Sequence, residues 1–340
     1  DVPVGSYLSG GMDSGSITAI ASNHFQKSND FLKTFTIGFD LSSASGMELS
    51  FDERAKSEYM SYMFKTEHYE MVLKSGDMER CMNNFAYHLE EPRVGQSYPN
   101  YYAAKLASKF VKVVLSGAGG DELFAGYPWR YYKAVNNDSF DNYIDKYYGF
   151  WKRLIPNKDI QNVFSPILKD TKVWTKDIFA SVFKTPVNVQ TPEEYINHSL
   201  YFEAKTFLHG LLVVDDKLSM AHSLETRVPF LDNDLVDFAQ KIPVKFKLAN
   251  LNKVIKMDEN EIGKMQKTND GKVILRKAMS KYIPEDIHKA VKQGFSSPDN
   301  SWFKGESIDF VKAKLLNSDA NIYKYMDKDA TQKLINEHLE

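Results

Sequence analysis

Short apolar runs, each closed by a turn-forming residue, dominate the first third of the chain. They are Val4-Gly-Ser-Tyr-Leu8, Thr34-Phe-Thr-Ile-Gly-Phe39, His68-Tyr-Glu-Met-Val-Leu73 and Val111-Lys-Val-Val-Leu115. Each is rich in β-branched or aromatic side chains and ends near Gly, Ser or Asp, which predicts four strands. Between them the apolar positions recur with a helical period, over Ser16 to Phe25, Glu53 to Phe64 and Tyr101 to Phe110. Alternation at this spacing predicts βαβ units and an α/β fold, a mainly parallel sheet with helices on both faces. Ligands of such sheets bind where the carboxyl ends of the strands open.

After Tyr127 the strand signal fades. From about residue 130 to 245 the pattern is aromatic-rich and mostly helical, most clearly over Phe207 to Ala221. The segment 250–272 is polar and Lys-rich, with Asn269-Asp270-Gly271 as a turn signal, and a mobile surface excursion is expected there. The expected organisation is an α/β core over residues 1–130 and a mostly helical subdomain over 131–340.

Composition narrows the functional classes. The 340 residues are 43% hydrophobic, enough for a sizeable core. Lys plus Arg is 43 and Asp plus Glu is 45, a net charge of −2, so no nucleic-acid partner is expected. Runs of about 18 apolar residues are absent, so no membrane span is expected. Cys81 is the single cysteine, which excludes an internal disulfide and a multi-cysteine metal site. It fits a reducing compartment, and a cytoplasmic location is expected. The chain starts at Asp1 with strand-like residues following almost at once. It is therefore expected to be a piece of a longer protein, with another domain upstream.

The strongest chemical signal is Ser9-Gly10-Gly11-Met12-Asp13-Ser14, which follows a strand and opens a helix. Two glycines allow positive φ and let backbone N–H groups converge into an anion nest, to which the helix adds its N-terminal dipole. The Ser9 and Ser14 hydroxyls can donate to phosphate oxygens. Asp13 repels phosphate by itself and makes sense as a ligand of magnesium shared with phosphates. The Gly-Lys-Ser/Thr ending of a Walker loop is absent. A second glycine-rich strand end, Leu115-Ser116-Gly117-Ala118-Gly119-Gly120-Asp121-Glu122, supplies a further magnesium ligand in Asp121. Glu122 reads as a helix N-terminal charge.

These motifs carry a resemblance. Ser9 to Ser14 resembles the pyrophosphate loop of the ATP pyrophosphatase superfamily, whose fold is adenine nucleotide α-hydrolase-like. Leu115 to Tyr127 resembles the second signature of the glutamine-dependent asparagine synthetases. Asp216 to Ala221 with Leu224 to Asp232 resembles their helical signature, and Lys292 to Phe295 with Pro298 and Trp302 their C-terminal lysine motif. The resemblance runs from residue 1 to about 305.

It implies an ATP-dependent amide ligase. A carboxylate, aspartate or a related acid, is adenylated with release of pyrophosphate, and ammonia displaces AMP. ATP contacts are implied at Tyr7, Leu8, Ser9, Gly10, Gly11, Asp13, Ser14, Ile37, Ser116 and Gly117. Magnesium is implied at Asp13 and Asp121, and the catalytic set is Lys292, Asp13 and Asp121. Lys292 would stabilise charge developing on the reacting phosphate. Ammonia would come from an upstream glutaminase domain that this chain lacks; Cys81 reads as a core residue. The expected partners are therefore small molecules and that domain, with a homodimer as a further option.

Two positions depart from the family pattern on the acceptor side. Many relatives carry an acid at the position of Ala118, and many read Leu-Pro-Asp-Asp where this chain has Leu208-His209-Gly210-Leu211. Ala290 is a milder departure. The alternatives are an amidotransferase acting on a sugar acid and a nucleotide-binding partner without ligase activity. Help for the acceptor step would come from His209, the substrate or a water. A metal reading of His209 and His222 lacks supporting ligands, and Glu225 and Arg227 are expected to pair within the helical subdomain.

Overall fold

The computed structural model describes residues 2–92, 97–152, 155–169, 171–183, 191–257 and 268–339. Five strands form one sheet in the order β3-β2-β1-β4-β5, and every neighbouring pair is parallel. The strands are β1 (Val4–Tyr7), β2 (Lys33–Phe39), β3 (Glu67–Leu73), β4 (Val113–Leu115) and β5 (Glu225–Arg227). The first four lie within two residues of their expected limits. Their order runs outward from β1 to β3 and then reverses to β4 and β5. The switch between β1 and β4 opens a crevice at the carboxyl ends of both strands.

The helices between the strands are α1 (Met12–Lys27), α2 (Arg54–Phe64), α3 (Asp77–Leu89) and α4 (Tyr98–Ala107). The two-residue period of β2 decides which face each covers. Phe35, Ile37 and Phe39 point one way, into clusters with Tyr101, Tyr102 and Ala104 of α4. Thr34, Thr36 and Gly38 point the other way. At Gly38 a Cβ would lie 2.3 Å from the Arg54 Cδ of α2. Leu8, Met12, Met60 and Phe64 tie α1 and α2 together with Met279 and Ile283 from late in the chain. Helices thus cover both faces. Cys81 is buried among Ile37, Phe39 and Tyr102, and burial pushes its thiol up to about 11, as befits a core cysteine.

The fifth strand corrects the expectation for Glu225 and Arg227. Glu-Thr-Arg is too short and too polar to read as a strand, and its neighbours impose the conformation. The Glu225 N–H donates to the Lys112 carbonyl at 3.0 Å, and the Ser116 N–H donates to the Arg227 carbonyl at 2.8 Å. The two side chains do pair, at 2.6 Å, but on the exposed edge of the sheet.

Beyond Tyr127 the regular elements other than β5 are helical, and the core there is aromatic. Tyr131, Tyr132, Tyr143 and Tyr147 are fully buried. The helices Pro192–Glu203 and His209–Met220 are joined by a π-turn over Ala204–Leu208. Among the described residues no helix is long and apolar enough to cross a membrane.

Candidate active site

The two glycine loops meet at the crevice. Ser9 to Gly11 lead from β1 into α1, and Ser116 to Gly119 lead from β4 into the short helix α5 (Gly120–Phe124). A Cβ at Gly117 would lie 2.7 Å from the Ser14 nitrogen, and one at Gly120 would lie 2.8 Å from Asp13 Cγ. A larger residue at either position would drive the loops apart. Gly119 adopts φ 95°, a left-handed conformation open to glycine at little cost. Gly10 and Gly11 do not adopt positive φ, which corrects the expected reason for their presence. At Gly10 the reason is space, since a Cβ there would lie 2.9 Å from Glu53 Cβ.

Within the first loop the Ser9 N–H donates to Ser14 Oγ at 3.0 Å and the Gly11 N–H donates to Ser9 Oγ at 3.1 Å. The helical ladder of α1 starts with Gly15 donating to the Gly11 carbonyl. The amides of residues 12–14 precede it, at the positive end of the helix dipole.

Charge concentrates where the loops touch. Lys272 Nζ lies 2.7 and 2.6 Å from the two Asp13 carboxylate oxygens and 2.5 Å from Asp121 Oδ1. Lys292 Nζ lies 2.8 Å from Asp121 Oδ2. Side-chain exposure separates the two lysines: 4% for Lys272 and 27% for Lys292. Burial would raise the Asp121 pKa, but two ammonium groups outweigh it and hold that carboxyl below the usual range. Asp13 pairs with one ammonium, and burial leaves its pKa raised. Burial works to lower the Lys292 pKa, while Asp121 and Asp13 hold it above the ordinary lysine value.

Lys272 is the residue that sequence reasoning missed. The expected mobile excursion over 250–272 is corrected at its end, while residues 258–267 lie outside the described residues. The Lys272 N–H donates to the Phe124 carbonyl at 2.9 Å, and Asp270 accepts from Asn250 Nδ2 at 2.8 Å. A Cβ at Gly271 would lie 2.1 Å from the Ala125 carbonyl oxygen, so the turn is docked on the end of α5. The available signal was the Asn-Asp-Gly turn placed directly before an apolar helix, Val273–Met279.

The carboxylates of Asp13 and Asp121 converge on one cation-sized point, held by the Lys272 ammonium. No cluster of three or more His, Cys, Asp or Glu suited to a metal exists among the described residues. Two carboxylates would suit a magnesium ion whose other ligands are water and phosphate oxygens, beside or in place of the Lys272 ammonium.

A cavity of about 1430 Å³ opens over the loops. Its wall includes Tyr7, Leu8, Ser9, Asp13, Ser14, Ile37, Ser116, Gly117, Ala118, Asp121 and Lys292. Gly10 and Gly11 support the loop from outside that wall. His209 is exposed and off the wall, which corrects its expected place on the acceptor side. His222 packs against Tyr101, with ring centroids 4.4 Å apart. The wall also carries the aromatic and apolar side chains Trp129, Trp151, Phe179, Phe207 and Leu211, and it includes Asp215. Glu122 accepts from the Tyr127 hydroxyl at 3.1 Å, and burial with the nearby Asp121 charge pushes its pKa to about 7.

The family described as Asparagine synthase matches residues 1–340. The chain belongs to the asparagine synthase family. The glutamine-hydrolysing asparagine synthetase 1 of Bacillus subtilis (strain 168) is 29% identical over 99% of this chain and 53% of its own length. A protein of Mycobacterium tuberculosis (strain H37Rv) named as a putative asparagine synthetase of the same type is 28% identical over 99% of this chain and 51% of its own. The amidase chyE of Penicillium rubens is 22% identical over 98% of this chain and 55% of its own. The chain thus spans about half the length of the curated relatives it matches. This asparagine synthase-family chain keeps both glycine loops in contact, while its Ala118 puts a methyl group where the second loop faces the cavity.

Proposed function

We propose that this chain is the synthetase part of an ATP-dependent amide ligase. The observation that carries this reading is the contact of two glycine loops from adjacent parallel strands, which gathers Asp13, Asp121, Lys272 and Lys292 at one end of a single cavity. Ser9 to Ser14 and the start of α1 would hold the β- and γ-phosphates of ATP. Tyr7, Leu8, Ile37, Ser116 and Gly117 would line the nucleoside. A carboxylate oxygen of the acceptor attacks the α-phosphorus, the bond to the β-phosphate breaks, and pyrophosphate leaves with the electron pair. Asp13 and Asp121 would hold Mg²⁺, which when bound neutralises charge on the departing pyrophosphate. Lys292, the more accessible lysine, places a fixed cation where negative charge grows. Ammonia then displaces AMP from the acyl-adenylate, and in the whole protein an upstream glutaminase domain would supply it, as the glutamine-hydrolysing names of the relatives suggest.

The acceptor is a carboxylic acid, aspartate or a related one. The cavity would hold both ATP and the acceptor, and its aromatic lining supports an acceptor with an apolar face, less polar than aspartate. A sugar acid with an apolar ring face fits that description. The test is acid-dependent exchange of labelled pyrophosphate into ATP over a panel including aspartate and uronic acids, with product analysis. AMP and pyrophosphate are expected. ADP as the main product, or no exchange with any acid, would refute the reading.

A further inference from the structure

The helix His209–Met220 and the π-turn before it present one stripe to the cavity: Phe207, Leu211, Asp215 and Ser219, spaced four residues apart. Residues so spaced share a helix face. The stripe is apolar or neutral except at Asp215. That carboxylate accepts from Asn100 Nδ2 at 2.9 Å and from Ser116 Oγ at 3.3 Å. The Ser116 hydroxyl oxygen in turn accepts from the Ala118 N–H at 3.3 Å. Asp215 is therefore tied through one hydroxyl to the backbone of the loop whose side chain at 118 is only a methyl group. It makes no ion pair among the described residues, its two donors are neutral, and it lies on the cavity wall. Glu122, the other carboxylate near this end, is 3% exposed and capped by Tyr127.

We infer that Asp215 is the general base of the amide-forming step, the catalytic residue that takes a proton from ammonia as it attacks the acyl-adenylate. The inference rests on the ligase reading above. Ammonia adds to the acyl carbon, forming the C–N bond while the carbonyl π pair moves onto oxygen. An Asp215 oxygen removes one proton from the nitrogen. The oxygen pair then restores the C=O bond, and the C–O bond to the phosphate breaks with its pair leaving on AMP. The proton passes from Asp215 to water. The surroundings of Asp215 suit a general base. Burial pushes its pKa to about 6, so it is a carboxylate at neutral pH yet more basic than an exposed one. The titratable group facing it is the Tyr7 phenol of β1, whose own pKa is raised by burial and then by Asp215. Asn100 of α4 and Ser116 after β4 are its neutral partners.

The experiment separates the two half-reactions in the full chain, with free ammonia as the nitrogen source. Asp215→Asn should slow amide formation about 10²-fold or more, and at least about tenfold more than it slows acid-dependent pyrophosphate exchange. Ala118→Glu in the Asp215→Asn background should recover part of the loss by supplying a carboxylate from the facing loop. At constant free ammonia, wild-type amide formation should fall below pH about 6 while exchange does not. That profile needs no variant and serves if Asp215→Asn fails to fold. Equal losses in exchange and amide formation, a change confined to the acceptor KM, or the absence of the acid limb would each overturn the assignment. A wild-type chain without acid-dependent exchange would overturn the ligase reading and this inference with it.

Discussion

Asp121 and Glu122 share one turn of α5, yet the environments on either side give them opposite proton affinities. Asp121 faces the loop end of the cavity, where two carboxylates meet two ammonium groups, and pairing overrides burial. Glu122 turns toward the aromatic end, where burial dominates and its pKa rises to about 7. Glu203 lies deeper on that side. It accepts from Arg130 at 3.2 Å and from the Tyr147 hydroxyl at 2.8 Å, and burial still lifts it to about 7. At the loop end Asp121 is thus held as a fixed charge while burial raises Asp13 beside it, and at the aromatic end Glu122 and Glu203 sit near the point of titration. On the proposed ligase reading, one end would stabilise phosphate chemistry by charge and the other could exchange protons.

The largest effect should follow removal of the accessible cation at the loop end. Lys292→Ala should slow pyrophosphate exchange by about 10²–10³-fold, the usual cost of losing one electrostatic stabiliser of a transition state, on the order of 3 kcal/mol. The fold should survive, because Lys292 is partly exposed and Asp121 keeps Lys272. Exchange at the wild-type rate would break the assignment of charge stabilisation to this end.

Lys272→Met makes the complementary cut. It leaves Asp13 and Asp121 facing each other without the ammonium between them, and breaking a buried pair costs about 3–5 kcal/mol. Denaturant unfolding should show that loss, and added magnesium should recover part of it if the two carboxylates hold the ion. Unchanged stability would mean that the carboxylates carry less charge than their pairing implies.

At the aromatic end the expected effect is one of pH. Glu203 has a folded-state pKa above its unfolded value, so the folded chain binds the proton more tightly between about pH 4.5 and 7. Stability therefore declines as pH rises through that window. Glu203→Gln should flatten the decline by an amount on the order of 1 kcal/mol per pKa unit of the shift. Its absolute stability should be lower, since Arg130 loses its anion. Urea denaturation from pH 5 to 8 reads the slope, and a slope equal to wild type would show that Glu203 stays ionised throughout.

The same contrast explains what was legible in the sequence. The first loop is local: a strand, two glycines, a serine pair and an acid stand within a few residues of one another, so it could be read from the sequence. β1 to β4 were legible for the same reason, since each carries enough apolar residues to signal its buried face. The surroundings of Asp215 are assembled from α4, the second loop and the helix His209–Met220, and Asp215 on that helix lies 99 residues or more along the chain from its two partners Ser116 and Asn100. Asp215 looks like an ordinary polar residue beside Asp216 until the helix phase places it under Ser116. Lys272 was hidden in a lysine-rich run for want of the Ala125 contact that docks its turn. His209 drew attention through its chemistry, and the helix phase turns it to solvent.

The smallest effect belongs to β5 and sharpens the comparison from outside the cavity. Glu225 and Arg227 look like functional charges, and they end where the second loop begins. Their contribution to that loop is made by backbone: the Arg227 carbonyl accepts from the Ser116 N–H at 2.8 Å and so fixes the hydroxyl that bridges Asp215 and Ala118. The side chains point along an exposed edge, 63% accessible for Arg227 and 53% for Glu225, where an ion pair gains little against solvent screening and side-chain entropy. Arg227→Ala should therefore change stability by no more than about 0.5 kcal/mol and leave exchange and amide formation within about twofold of wild type. A loss of amide formation in that variant, with exchange intact, would place an Arg227 contact at the acceptor end and extend that end beyond the cavity wall.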